Sequence, residues 1–212
     1  MIEQEIDSLA PGRDYTRRAF VRTSVGSGFS AAVLPVVAQT TIRTDDRGLT
    51  VGEVTIPAGD FQLPAYRAAP AGKANAPVAL VVSEIFGVHE YIADVARRFA
   101  KAGYFAIAPE LFVRQGDAGS YGELSKLISE VIAKVPDAQV MGDLDATVVW
   151  ARGQGADASR LAVTGFCWGG RITWLYVAHN PGVRAAVAWY GRLVGTSNPL
   201  QPTNPIELAG KL

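Results

Sequence analysis

Runs of apolar residues and their periodicity divide the chain into a succession of elements. "GEVTIPAG" and "FQLPAYRAAP" read as two short strands joined by a turn at Gly59-Asp60, placed at a sheet edge. "KANAPVALVVSE" carries an unbroken apolar run from Val78 to Val82, the pattern of a strand buried on both faces of a parallel sheet. In "HEYIADVARRFAKAGY" the apolar positions Ile92, Val95, Ala96 and Phe99 follow helical spacing, and Gly103 ends the stripe. "YFAIAPEL" is a second buried strand, followed by the polar, glycine-bearing segment "VRQGDAGSYG".

Two helical stretches come next, Glu123 to Lys134 and Ala138 to Arg152, the second preceded by Pro136-Asp137 as a start signal. A strand over Leu161 to Phe166, a helix from Trp168 to His179 and a strand from Val183 to Tyr190 complete the alternation. Strands alternating with helices predict an α/β fold, a parallel sheet covered on both faces. The segment from "GRLVGTSNPLQP" to "ELAGKL" reads as loop followed by a short helix.

Composition narrows the class. Twenty basic and twenty acidic side chains cancel, which offers no attraction to nucleic acid or to an anionic membrane surface. The 212 residues, 49% of them hydrophobic, suit one globular domain. A single cysteine rules out an intramolecular disulfide, and no Cys/His cluster has metal-ligand spacing, so neither metal nor cofactor is called for.

Residues 1–38 stand apart from the fold. Arg17 and Arg18, then Phe20 and a weakly apolar run rich in Gly, Ser and Ala, match a twin-arginine export signal, with small residues before Gln39 for cleavage. That pattern predicts a mature domain over 39–212, the twin-arginine export machinery as partner of the precursor, and a periplasmic location. Read instead as an amphipathic or unstructured leader, the same residues leave the protein in the cytoplasm. The apolar run is too short and glycine-rich for a stable membrane span.

The chemistry concentrates in "LAVTGFCWGGRITW", which has the form of a nucleophile elbow with Cys167 at its apex. Gly165 and Gly169, two residues before and after, permit the sharp strand-to-helix turn, and Gly170 lets the helix lie against the neighbouring strand. The helix beginning at Trp168 points its positive end at the sulfur, which favours thiolate, and the Trp168 N–H faces the place where an oxyanion would develop. The bland alternative is a small buried thiol. In "VVSEIFGVHEY", Glu84 ends a buried strand, where a carboxylate needs a partner, and the Ile85 N–H is available as a second oxyanion donor. Glu84 could equally cap the following turn. Arg114, in the loop after "YFAIAPEL", could hold a substrate carboxylate in its fork or simply be solvated. His89 reads as a helix-start or pocket-rim residue.

"SEIFGVHEYIADVARRFAKAGYFAIAPELFVRQGD" and "GFCWGG" resemble the dienelactone hydrolase family (carboxymethylenebutenolidases), from about Gly52 to the end of the chain. The resemblance implies an α/β-hydrolase-type three-layer sandwich and a Cys-His-Asp triad that opens an enol-lactone. It implies Cys167 as nucleophile, Glu84 as the acidic residue assisting the thiol, Arg114 as carboxylate binder, and Ile85 and Trp168 as oxyanion-hole amides. The pattern departs in one respect. No aspartate follows Cys167, and the only later histidine, His179, lies at the far end of the elbow helix, about 18 Å away by helical rise. His179 is expected to cap that helix and face solvent. The expectation is therefore a partial domain with its C-terminal strands missing, "NPIELAGKL" leading toward the next core strand. A hydrolase acting on a small anionic lactone or ester is the leading function. A non-catalytic binding module of the same fold is the alternative, and a thiol-redox role lacks a resolving cysteine.

Overall fold

The computed structural model describes residues 43–211; the proposed leader with Arg17 and Arg18, and the expected mature start at Gln39, lie outside them. Six strands form one sheet: β1 (Leu49–Ala58), β2 (Phe61–Pro70), β3 (Pro77–Val82), β4 (Phe105–Pro109), β5 (Asp157–Phe166) and β6 (Val183–Trp189). Their spatial order is β1-β2-β4-β3-β5-β6. β1, β2 and β4 pair antiparallel, while β4, β3, β5 and β6 run parallel. Helix α1 (Glu90–Lys101) links β3 to β4, and α3 (Asp137–Gly153) links β4 to β5 after the short α2 (Leu124–Glu130). Helix α4 (Trp168–His179) links β5 to β6.

Side-chain alternation along the strands decides which helix covers which face. Val78, Leu80 and Val82 of β3, with Phe105 and Ile107 of β4, join the core that includes Leu144 and Val148 of α3 and Ile172 and Tyr176 of α4. Ala79, Val81, Ala106 and Ala108 point the other way, to Ile92, Ala93, Ala96 and Ala100 of α1. Small residues on both surfaces let α1 lie close to the sheet. With α1 on one face and α3 and α4 on the other, the crossovers diverge from β3. The loops after β3 and β5 then open a crevice at the strands' carboxyl ends, where sheets of this kind bind ligands.

The mostly parallel α/β architecture agrees with the expected fold class, and several details differ. The predicted helix Glu123 to Lys134 is broken at Val131 into α2 and a 3-10 turn, Ile132–Lys134. β5 begins four residues earlier than expected, at Asp157 rather than Leu161. Coverage on both faces fails over β6, most of which is exposed, with Val187 48% and Trp189 50% accessible. Helix α1 sits over β2, β3 and β4 and does not reach that edge, so Phe99, Tyr104, Thr164 and Val187 line a bare trough of about 180 Å³. Pro205–Lys211 forms a 3-10 helix, in line with the short helix expected there. Among the described residues, no helix is long and apolar enough to cross a membrane.

A buried ion pair fixes the elbow helix. Arg171, one turn into α4, donates from Nη1 and Nη2 to the two carboxylate oxygens of Asp137, at 2.7 Å each, and from Nη2 to the Thr203 carbonyl at 2.9 Å. The Asp137 N–H in turn donates to the Leu200 carbonyl. Both side chains are buried, so removing the carboxylate would strand a guanidinium in the interior. Asp137→Ala is expected to lower unfolding free energy by about 3–5 kcal/mol, read by urea denaturation. A loss within about 0.5 kcal/mol would show that α4 is held by other contacts.

Candidate active site

The elbow is built by close contact of backbones. A Cβ at Gly165 would stand 2.1 Å from the Gly169 carbonyl oxygen and 2.6 Å from Thr173 Oγ1. At Gly169 it would meet the carbonyl oxygens of Val82 and Ser83 at 2.4 and 2.5 Å. At Gly170 it would meet the Trp189 carbonyl oxygen at 2.5 Å, and Gly191 approaches Gly170 just as closely from the other side. The start of α4 is thus wedged between the ends of β3 and β6. Cys167, at the apex, has φ 53° and ψ −112°, a conformation sparsely populated by any side-chain-bearing residue. It is held there by its N–H donating to the Trp189 carbonyl at 3.0 Å and by its carbonyl accepting from Arg171 N–H at 3.2 Å.

The expected thiolate is not what this site favours. Burial pushes the Cys167 thiol above its ordinary range, and the nearby Glu84 charge pushes the same way; only the hydrogen bond from the Trp168 N–H opposes them. A helix N-terminus contributes about 0.3–1 kcal/mol, under one pH unit, which is too little to reverse desolvation and a like charge together. The Trp168 N–H does face the sulfur, as the elbow geometry predicts. The Ile85 N–H finds no hydrogen-bond acceptor among the described residues.

Glu84 is buried at the end of β3, and its partner is His89, whose Nε2 lies 3.1 Å from Glu84 Oε2. His89 occupies the position before α1 with extended backbone, and its side chain caps nothing, which leaves the ring free to turn inward. Tyr91 stacks on that ring and packs edge-on against Phe166, which stacks on Trp189. Tyr190 follows β6 with φ 39°; its phenol is pushed up to about 12 by desolvation, then by the charges of Glu84 and Cys167. The structure therefore brings together Cys167, Glu84, His89 and Tyr190.

Two further predicted residues have partners of their own within the protein. Arg114 has its fork closed on Asp143 of α3, with Nη2 2.8 Å from Oδ1 and Nη1 on Oδ2, and its guanidinium lies 4.2 Å from the centre of the Phe61 ring. To clamp a substrate carboxylate it would have to leave Asp143. His179 does not cap α4, whose C-cap is Asn180; its Nε2 sits 2.7 Å from Asp145 Oδ2 on the surface. Among the described residues, no group of three or more His, Cys, Asp and Glu could hold a metal ion.

Sequence reasoning missed Tyr190 and Asp143, and it gave His89 only a helix-start or pocket-rim place. Gly191 after "AWY" was the available signal for the first, since a glycine there permits the close approach to Gly170. Asp143 lies on a helix whose polar positions look solvated until the fold turns that one onto Arg114.

A strand-to-helix elbow at the carboxyl ends of a mostly parallel sheet, with a thiol at its apex, defines an α/β-hydrolase-type enzyme. Comparison with known proteins makes the assignment specific. The family model described as "Dienelactone hydrolase family" matches residues 63–211, and the chain belongs to that family of carboxylic-ester hydrolases. A Methylorubrum extorquens protein named as a candidate carboxymethylenebutenolidase is 58% identical over 211 residues, covering 99% of this chain and 72% of the relative. An Escherichia coli K12 protein of the same name is 49% identical over 191 residues, 90% of this chain and 70% of the relative. The crystal structure of a candidate dienelactone hydrolase from Klebsiella pneumoniae superposes with TM-score 0.76 at 53% identity, over 77% of this chain and 69% of that one.

Gly169→Ala is expected to destabilise the fold by about 1–3 kcal/mol or more in thermal or urea unfolding, because the clash is with the backbone of Val82 and Ser83 rather than with a flexible side chain. An unaltered transition would show that α4 can move off β3 freely. The raised thiol makes a second prediction. Stability contributed by the protonated form is full below the ordinary thiol range and is lost as pH rises through it, since the unfolded chain releases its proton first. At mildly alkaline pH, iodoacetamide should therefore label Cys167 more slowly in the folded protein than in urea. Faster labelling of the folded state would contradict the geometry.

Proposed function

We propose that Cys167 is the nucleophile of a hydrolase acting on a small anionic enol-lactone or related ester. The sulfur attacks the carbonyl carbon, the ring C–O bond breaks as the oxygen leaves with a proton, and water then hydrolyses the thioester to regenerate the thiol. The N–H groups of Trp168 and Ile85 are assigned to the developing oxyanion. The observation that carries this reading is the backbone of Cys167, held at φ 53° where β5 meets α4 with the Trp168 N–H directed at its sulfur. A buried structural cysteine would need neither the strained turn nor the three close glycine contacts.

The substrate class is supported by family membership and by the name carboxymethylenebutenolidase that its relatives carry. Arg114 is proposed as the carboxylate binder, exchanging Asp143 for substrate. Replacing Cys167 by alanine is expected to reduce hydrolysis of a dienelactone or an activated aryl ester by at least about a hundredfold. Retention of the parent rate would remove the nucleophile assignment.

We further propose that Arg17 and Arg18 direct twin-arginine export to the periplasm. Changing both to lysine should hold the precursor in the cytoplasm on fractionation. Unchanged delivery would point to another route.

A further inference from the structure

Arg114 and Asp143 form a closed pair whose two members differ in access to solvent. The Arg114 side chain is 21% exposed, whereas that of Asp143, on α3, is 3% exposed. A ligand arriving from solvent therefore meets the cation and not the acid. Among the described residues Arg114 is the one partner of that carboxylate, through Nη1 on Oδ2 and Nη2 2.8 Å from Oδ1. The face of the guanidinium lies over Phe61, 4.2 Å from the ring centre. Next in the chain, Gln115 exchanges amide hydrogen bonds with Gln139, one turn before Asp143, at 2.7 and 3.2 Å. Two side-chain pairs thus tie this loop to α3. The same loop also reaches the elbow, since Phe112 packs on the Trp168 ring with centroids 4.6 Å apart.

We propose that Asp143 is a tethered rival of the substrate's own carboxylate: it fills the Arg114 fork at rest and decides which ligands take that fork over. A guanidinium presents its N–H groups as a planar fork that a carboxylate matches with both oxygens. A ligand bringing an equivalent pair of oxygens replaces what Asp143 supplies. A single-oxygen anion or a neutral ester leaves the pair closed. Displacement is penalised, because the carboxylate left behind has no second donor and lies out of water. Anion binding at this loop is therefore selective, and weaker than a free arginine would give. Asp143 is in this sense a positioning residue that sets specificity through Arg114 without itself meeting the ligand.

This inference rests on the reading of Arg114 as carboxylate binder, and its test needs no turnover. Sorbate, a planar unsaturated monocarboxylate, and its neutral methyl ester are titrated calorimetrically into the whole chain. Asp143→Asn is expected to tighten sorbate binding by about tenfold or more, and to raise the sorbate-to-ester affinity ratio with it. Asp143→Ala removes the acceptor altogether; it should act in the same direction, and it serves if the asparagine variant does not fold. Asp143→Glu returns a carboxylate and should bring the ratio back toward the parent's. Asp145→Asn makes the same change of net charge at an exposed position of α3. It should leave sorbate binding at the parent value, which separates rivalry for the fork from a general gain in positive charge.

Sorbate affinity that is unchanged, weakened or undetectable in both Asp143→Asn and Asp143→Ala would overturn the proposal, weakening being the mark of an acid that only holds Arg114 in place. An equal gain from Asp145→Asn would overturn it as well. The readings fail separately. If Arg114→Gln alone abolishes sorbate binding while the Asp143 variants gain nothing, the binder stands and the rival falls. If the gain from Asp143→Asn survives the addition of Arg114→Gln, the binder reading falls and this proposal with it. The nucleophile assignment is untouched by either result, since sorbate offers Cys167 no ester to cleave.

Discussion

The site depends on one steric constraint, the absence of side chains at Gly165, Gly169 and Gly170. Each of these glycines faces backbone at a distance where a Cβ could not fit, and together they seat the first turn of α4 between the ends of β3 and β6. Close seating is what turns β5 sharply enough to raise Cys167 beyond the sheet in its left-handed conformation. It also places the Trp168 N–H at the sulfur and the loop carrying Glu84 beside it, since Gly169 rests on Val82 and Ser83 immediately before that residue. The Arg171–Asp137 pair then locks the helix from its other side. Strain at one residue is tolerated because several packed backbones determine it jointly.

Electrostatics in this site run against a simple picture of an activated cysteine. Burial is the largest influence and opposes thiolate; the Trp168 N–H at the helix terminus favours it, and the Glu84 charge adds a lesser opposition. Glu84 itself is paired with His89 within the β3–α1 loop. Arg114 shows the same economy of charge, with its fork satisfied inside the protein by Asp143 and its face by Phe61.

Much of this was legible in the residues because the signals were local. Continuous apolar runs marked β3 and β4, helical spacing marked α1, and glycine spacing around Cys167 marked the elbow. What escaped were pairings made only by the fold. His89 looked like a residue at a helix start, and it is one, but extended backbone there frees its ring for Glu84. Asp143 and Arg114 lie twenty-nine residues apart, and no sequence period links them. Tyr190 reads as the end of a strand, yet its positive φ and the adjacent Gly191 bring it to the elbow. The thiol's acidity was misjudged because the helix dipole is visible in a sequence, whereas the depth of burial that outweighs it is not.

The central claim, that Cys167 attacks an acyl carbon, is tested most directly by catching the acyl group on the protein. Rapid mixing with an activated ester, acid quenching and mass spectrometry of the digested chain should show an acyl mass on the peptide carrying Cys167, removable by hydroxylamine as expected of a thioester. Hydrolysis that proceeds with the acyl group on another residue, or with Cys167 still freely alkylated throughout turnover, would contradict the account.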